Sequence, residues 1–188
     1  TFEAKKGDGY WVEVFSQRLG LPSDPFVLIQ RVTKNDKGEE QLSDVKELSD
    51  TDSNIGGPEY KTATRDPSGH FGVEENGTYR IQVRDLFNRS QADPRLVYRL
   101  SIRKETPDFR LVAAAQPPPS PNKDAKEALF WTPLLRRGET MPVKVMAFRR
   151  DNFNGDIELK IEGLPAGVAA NDAKIEKDKS STMVLLTA

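Results

Sequence analysis

Asp66-Pro-Ser-Gly-His70 brings a carboxylate, a hydroxyl and an imidazole within five residues. Those are the group types of an acyl-transfer triad. A triad also needs a base within hydrogen-bond reach of the nucleophile, a third group orienting that base, and an oxyanion hole. Nearness in sequence supplies none of these, and Asp-Pro-Ser-Gly is first of all a β-turn sequence. The segment is therefore read as a turn, and no catalytic residue is assigned. A second candidate is acidic: residues 36–59 hold eight carboxylates against Lys37 and Lys46. Within it, Asp50-Thr-Asp-Ser-Asn54 places oxygen-bearing side chains at alternate positions ahead of Gly56-Gly57. Calcium takes about six to eight hard oxygen ligands, and Asp50, Asp52 and Asn54 are the candidates here. The EF-hand spacing is not met, because neither the mid-loop glycine nor the closing glutamate is present. The other reading is a solvated loop whose Asp and Ser side chains make local turn hydrogen bonds.

Two further groups could bind rather than react. Arg80 and Arg84 alternate with apolar residues on one segment, and Arg99 and Arg103 do so on another. If the two segments are antiparallel neighbours, the four guanidinium groups share one outer face. That face could grip carboxylates or sulfated glycan through paired hydrogen bonds. Like charges placed opposite one another are unfavourable, so an anionic partner is expected, with the acidic segment of the same chain favoured. The aromatic residues Trp11, Phe15, Tyr60, Phe71, Phe130 and Trp131 could include a sugar-stacking platform, with Trp11 and Phe15 as its candidates. Core packing is the favoured use of most of them, and Phe130-Trp131 suits a seam between domains.

Composition removes several classes of function. The formal net charge is −1, so the overall balance gives no electrostatic case for nucleic acid. The absence of cysteine excludes disulfides, thiolate catalysis and cysteine zinc sites, and His70 is the only histidine. No apolar run approaches the length of a membrane span, so no membrane insertion is expected. Phosphate-loop, dinucleotide and zinc-helix motifs are lacking as well. No cofactor is assigned beyond the calcium alternative.

The elements that must position these residues read as strands. Tyr79, Ile81 and Val83 alternate with Arg80, Gln82 and Arg84; Ile157, Leu159 and Ile161 alternate with Glu158, Lys160 and Glu162. Period two puts apolar groups on one pleated face, as in a half-buried antiparallel strand. Tyr10–Phe15 and Phe26–Val32 are continuous enough to be central strands covered on both faces. Asn35–Gly38, Asn76-Gly77 and Asn152–Gly155 are turn sequences. The nearest approach to a helix is Glu40–Leu48, where Leu42, Val45 and Leu48 lie three apart and suggest one helical turn. The fold class expected is all-β, with two antiparallel β-sandwich domains in tandem over residues 1–105 and 106–188. The second begins with an edge strand containing Phe109, Leu111 and Ala113. Residues 113–122 hold four prolines in five positions and read as a kinked edge segment of that domain, with a free linker as the alternative. About four or five strands are expected there, against about seven in an immunoglobulin-type sandwich. The chain thus reads as a fragment of a longer polypeptide.

Two stretches resemble known families. The order Tyr10-Trp-Val-Glu-Val14, Asp24-Pro-Phe-Val-Leu-Ile29, Asn76-Gly-Thr-Tyr-Arg-Ile-Gln-Val-Arg-Asp85 and Tyr98-Arg-Leu-Ser-Ile102 is similar to the bacterial pre-peptidase C-terminal domain, without its opening strands. Arg149–Leu159 followed by Gly163-Leu-Pro-Ala-Gly-Val168 resembles the immunoglobulin-like repeats of large exported planctomycete-type proteins, without their closing strands. These resemblances imply a jelly-roll-like sandwich followed by a partial immunoglobulin-like one, and a secreted, periplasmic or cell-surface location. They imply a non-catalytic accessory role beside other domains of the same polypeptide or an extracellular protein or glycan. Because some pre-peptidase-type domains bind calcium, the resemblance also keeps the Asp50–Asn54 alternative open.

Overall fold

Alternating side chains need two faces of different polarity, and the chain supplies them as antiparallel strands. A computed structural model describes residues 1–57, 60–87, 93–117 and 131–188. Among the described residues there are thirteen strands and one 3-10 turn, Gln17–Leu19, and the fold is all-β. The chain divides into two units, Thr1–Thr106 and Pro107–Ala188.

In the first unit, β1 (Phe2–Ala4), β6 (Gly77–Asp85), β3 (Pro25–Lys34) and β4 (Glu40–Leu48) form one sheet in that order. β5 (Ser68–Gly72), β2 (Gly9–Phe15) and β7 (Arg99–Lys104) form the other. Both sheets contribute to one core: Val12, Val14, Val27 and Ile29 are fully buried, with Phe71 and Tyr79 beside them. Burying a Val or Ile side chain gains roughly 1.5–3 kcal/mol, so this inner layer is what holds the two sheets together. Phe71 and Tyr79 meet edge to face at 5.2 Å, an arrangement that pairs a ring's positive edge with its neighbour's negative face.

The segment Glu40–Leu48 is a strand rather than a helical turn. Its hairpin with β3 closes over Asn35–Gly38, where the Asn35 side chain accepts from the Lys37 and Glu39 amides. Lys46 opposes Ile29 and Asp44 opposes Gln30, so Val45 is an inserted residue at a bulge. That insertion breaks the two-residue period and produces the three-residue apolar spacing that mimics a helix. Only Leu48 of the three apolar positions is buried; Leu42 and Val45 are each 44% exposed.

In the second unit, β11 (Ala169–Ala170), β13 (Ser181–Thr187), β9 (Thr140–Arg150) and β8 (Asp108–Ala115) form a sheet with β8 at its edge. β10 (Ile157–Leu159) pairs with β12 (Ala173–Ile175) in a second, two-stranded sheet. Val145, Ala147, Ile157, Ile175 and Val184 make a core separate from the first, flanked by Phe109 and Phe153 at 5.1 Å. After β9 the chain reverses at Asp151 and Asn152, both left-handed (φ 52° and 60°), with the Phe153 amide donating to the Arg150 carbonyl. Asp and Asn tolerate that conformation better than other residues with a Cβ, which is why this turn can be built without glycine. Of the proline-rich stretch, Ala113–Ala115 complete β8; residues 118–122 and Phe130 lie outside the described residues.

Candidate functional site

Asp66, Ser68 and His70 go three separate ways. Asp66 is fully buried and accepts from the amides of Ser16 (3.0 Å), Gln17 (2.7 Å) and Arg18 (2.9 Å), and from Arg18 Nε at 2.9 Å. It thereby satisfies the amides that open the 3-10 turn. Burial pushes the Asp66 pKa up, but the backbone and side-chain donors of Arg18 and the amides of Gln17 and Ser16 outweigh it. The carboxyl is held below its usual range. Arg18 is consumed by the same arrangement, reaching Glu13 and the Val14 carbonyl at 2.9 Å each. Ser68 Oγ accepts from Trp11 Nε1 at 3.1 Å. His70 Nδ1 meets Glu105 Oε1 at 2.6 Å on the opposite side of β2. Gly9 makes that span feasible, since a Cβ there would lie 2.7 Å from Glu105 Oε2. The three groups do not meet as a triad. The turn read from Asp66-Pro-Ser-Gly is replaced by a bend at Asp66 followed at once by β5, because Ser68 and Gly69 pair with Glu13 and Val12 of β2. Glu105, two residues past the last arginine of β7, is the partner that sequence spacing did not disclose.

The acidic segment does not gather its candidate ligands. Asn54 accepts from the Thr62 amide and donates to the Gly57 carbonyl, each at 2.9 Å, which closes its own loop. Asp50 lies beside Asp24 instead, with Asp85 also nearby. Burial raises the Asp24 pKa first, the negative charges of Asp50 and Asp85 add to it, and Arg65 opposes them. One Asp24 carboxylate oxygen is buried without a hydrogen-bond partner. Asp52 is exposed. Among the described residues, no three or more His, Cys, Asp or Glu side chains are disposed to hold a metal ion.

The four arginines do not share a face. β6 pairs with β3 and β1, whereas β7 pairs with β2, so the two arginine pairs lie on opposite sheets. Alternation correctly turns them outward, but it does not choose a strand's neighbours. Arg80 and Arg84 lie on the outer face of β1-β6-β3-β4, and Arg80 Nη2 pairs with Glu40 at 2.6 Å. That contact is the intramolecular anionic partner, supplied by the acidic segment. Arg99 and Arg103 instead join Trp11 and Phe15 on the outer face of β5-β2-β7. Register places Trp11 between His70 and Arg103, Glu13 between Ser68 and Ser101, and Phe15 beside Arg99. The ring of Phe15 is flanked by the guanidinium groups of Arg18 at 4.3 Å and Arg99 at 5.9 Å. Trp11 is half-buried, and its N–H is already donated.

A groove of about 850 Å³ opens where the edges of the two sheets diverge, lined by Asp44–Lys46 of β4 and by His70–Glu75. Among the described residues, no helix is long and apolar enough to cross a membrane. No protein-family model, curated protein or solved structure matches the chain.

Proposed function

We propose that the chain is a non-catalytic accessory and interaction module of a larger exported bacterial protein, spacing, stabilising or presenting neighbouring domains. The observation that carries this reading is the dispersal of Asp66, Ser68 and His70 into three unrelated contacts, the first holding the 3-10 turn and the other two bridging segments of the β5-β2-β7 sheet. The polar groups that could have reacted are thus spent on holding a scaffold, while the sheet faces and edges keep exposed charge. The order of motifs resembling a pre-peptidase C-terminal domain supports an exported, accessory setting.

The test is a turnover screen of the 188-residue chain against ester, glycoside and peptide substrates. The expected result is no turnover above buffer. Turnover abolished by His70→Ala or Ser68→Ala would overturn the reading. A second reading, extracellular-glycan binding, is favoured by the register that unites Trp11 with Arg99 and Arg103 on one face. On that reading a uronic-acid or sulfated glycan is retained on an array by the wild-type chain and lost with Trp11→Ala. No retention of any glycan would remove it.

A further inference from the structure

We propose that the groove between β4 and β5 takes an added β-strand from an extended, lysine- or arginine-rich polypeptide segment. The proposal rests on the reading of the chain as an interaction module and names one surface and one class of partner for it.

The backbone of β5 supplies the first argument. Gly9 carbonyl accepts from Glu105, so Gly9 faces β7, and alternation turns Tyr10, Val12 and Val14 toward β5. Their partners across the ladder are Phe71, Gly69 and Pro67, the last confirmed by the Val14 amide donating to the Pro67 carbonyl at 3.0 Å. His70 and Gly72 therefore direct their N–H and C=O groups away from β2, toward an edge that no described strand covers. Two residues of a strand span about 7 Å, a spacing of donors and acceptors that another strand reproduces.

The groove's shape supplies the second. At one end Leu48 closes β4 onto β5 so tightly that a Cβ on Gly69 would lie 2.7 Å from Leu48 Cδ2. Beyond it the bulge at Val45 carries β4 away, and the two edges part into a wedge. Val45, which is 44% exposed, gives this wedge its apolar surface, with the buried Phe71 and Val73 beneath its floor. A segment alternating apolar and charged residues fits, one set facing that surface and the other facing out.

Charge selects the sign. The lining includes the carboxylates of Asp8, Asp44, Glu74, Glu75 and Glu105, with Arg31 and Lys46 as its permanent cations. Some of these are already paired, Arg31 with Glu75 at 2.5 Å and Asp8 with Lys104 at 3.2 Å. Asp44 accepts from the neutral Gln30 amide at 2.7 Å, and Glu74 is exposed. A second copy of the chain would bring the same carboxylates against themselves, which disfavours edge-to-edge pairing of two β5 strands. An acidic segment meets the same repulsion.

The experiment is fluorescence anisotropy of the intact chain with a labelled octapeptide alternating Lys and Val. A Glu-Val peptide, and a Lys-Val peptide N-methylated at alternate amides, serve as comparisons. The Lys-Val peptide is expected to bind saturably and the other two not. Asp44→Lys with Glu74→Lys should weaken binding about tenfold. Gly72→Pro removes a groove-facing N–H without removing a hydrogen bond of the ladder to β2. Because a Cβ at this position lies 3.0 Å from His70 Nε2, Gly72→Ala, which adds that Cβ and keeps the N–H, is its control, and only the proline should abolish binding. Equal binding of the N-methylated peptide would overturn strand addition, leaving charge attraction alone. Absence of Lys-Val binding, or dimerisation of the chain that Gly72→Pro abolishes, would overturn the assignment of partner. None of these results bears on the turnover screen, so the groove and the broader reading fail separately.

Discussion

Asp24 and Asp66 are both aspartates that precede a proline. Their surroundings are opposite. Asp66 sits among three amides and a guanidinium, and every contact favours its ionised form. Asp24 sits beside Asp50 and Asp85 with one buried oxygen unpartnered. The first carboxylate stabilises the fold by being charged; the second opposes it by being charged. A residue type and its neighbour in sequence fix neither the sign nor the size of its contribution; the donors that topology delivers do.

The largest test of this contrast is Asp66→Ala. Removing the carboxylate leaves Arg18 and three amides without their acceptor, and breaking a buried charged pair costs about 3–5 kcal/mol. Urea unfolding monitored by tryptophan fluorescence should show the midpoint falling accordingly. A loss below about 1 kcal/mol, the range of surface pairs, would mean that water replaces the carboxylate at little cost. The pH profile sharpens it. The folded pKa of Asp66 is depressed, so its stabilisation is complete above the unfolded value near about 3.9 and is lost as pH falls through the folded value. Wild type should therefore lose an increment of stability in acid that Asp66→Ala does not show.

How much of this was legible follows from which interactions repeat along the chain. β6 and β10 are legible because half-buried strands leave a two-residue period in their side chains, and β2 and β3 because central strands leave a continuous apolar run. The inward positions Tyr79 and Ile81 of β6 and Ile157 of β10 follow from the period. The pairing of β6 with β3 rather than β7 left no such trace, because alternation assigns a face and not a neighbour. For the same reason the sequence groups Arg80 with Arg103, which lie on different sheets. Trp11 and Arg103 were read as separate features, yet the β2–β7 register makes them one row. β4 was obscured by a single inserted residue, Val45. The Asp24 cluster is hidden because its members come from positions 24, 50 and 85 and meet only through the pairing of β3 with both β6 and β4, which sets Pro25 opposite Asp85 and Val27 opposite Leu48.

A smaller effect, of opposite sign, is expected at Asp24. Its folded pKa is raised, so folding is favoured while the group is protonated and that advantage is lost as pH rises through the folded value. At pH 7 the ionised group faces Asp50 and Asp85. Asp24→Asn removes that repulsion and should stabilise by on the order of 0.5 kcal/mol, the scale of partly solvated charge pairs. Below the unfolded pKa the gain should vanish. Thermal unfolding of both proteins across pH 3–8 checks it, and a destabilisation at neutral pH would mean that the Asp24 carboxylate has a favourable role that the contrast with Asp66 denies.

The smallest expected effect is that of calcium. Arg65 offsets only part of the repulsion among Asp24, Asp50 and Asp85, and a cation settling among them would turn them into a second satisfied site. Any ligand that binds only the folded state raises its stability by mass action, so titration at millimolar calcium reads this directly. Asn54 is committed to Thr62 and Gly57, which leaves Asp50 and Asp52 without the third oxygen of their own loop. The thermal midpoint of the wild-type chain is therefore expected to stay where it is. A rise that Asp50→Asn abolishes would place a cation beside Asp24. Asp24→Asn should then lose its stabilising effect in calcium while keeping it in chelator, and the two aspartates would differ only in the chemistry of what neutralises them.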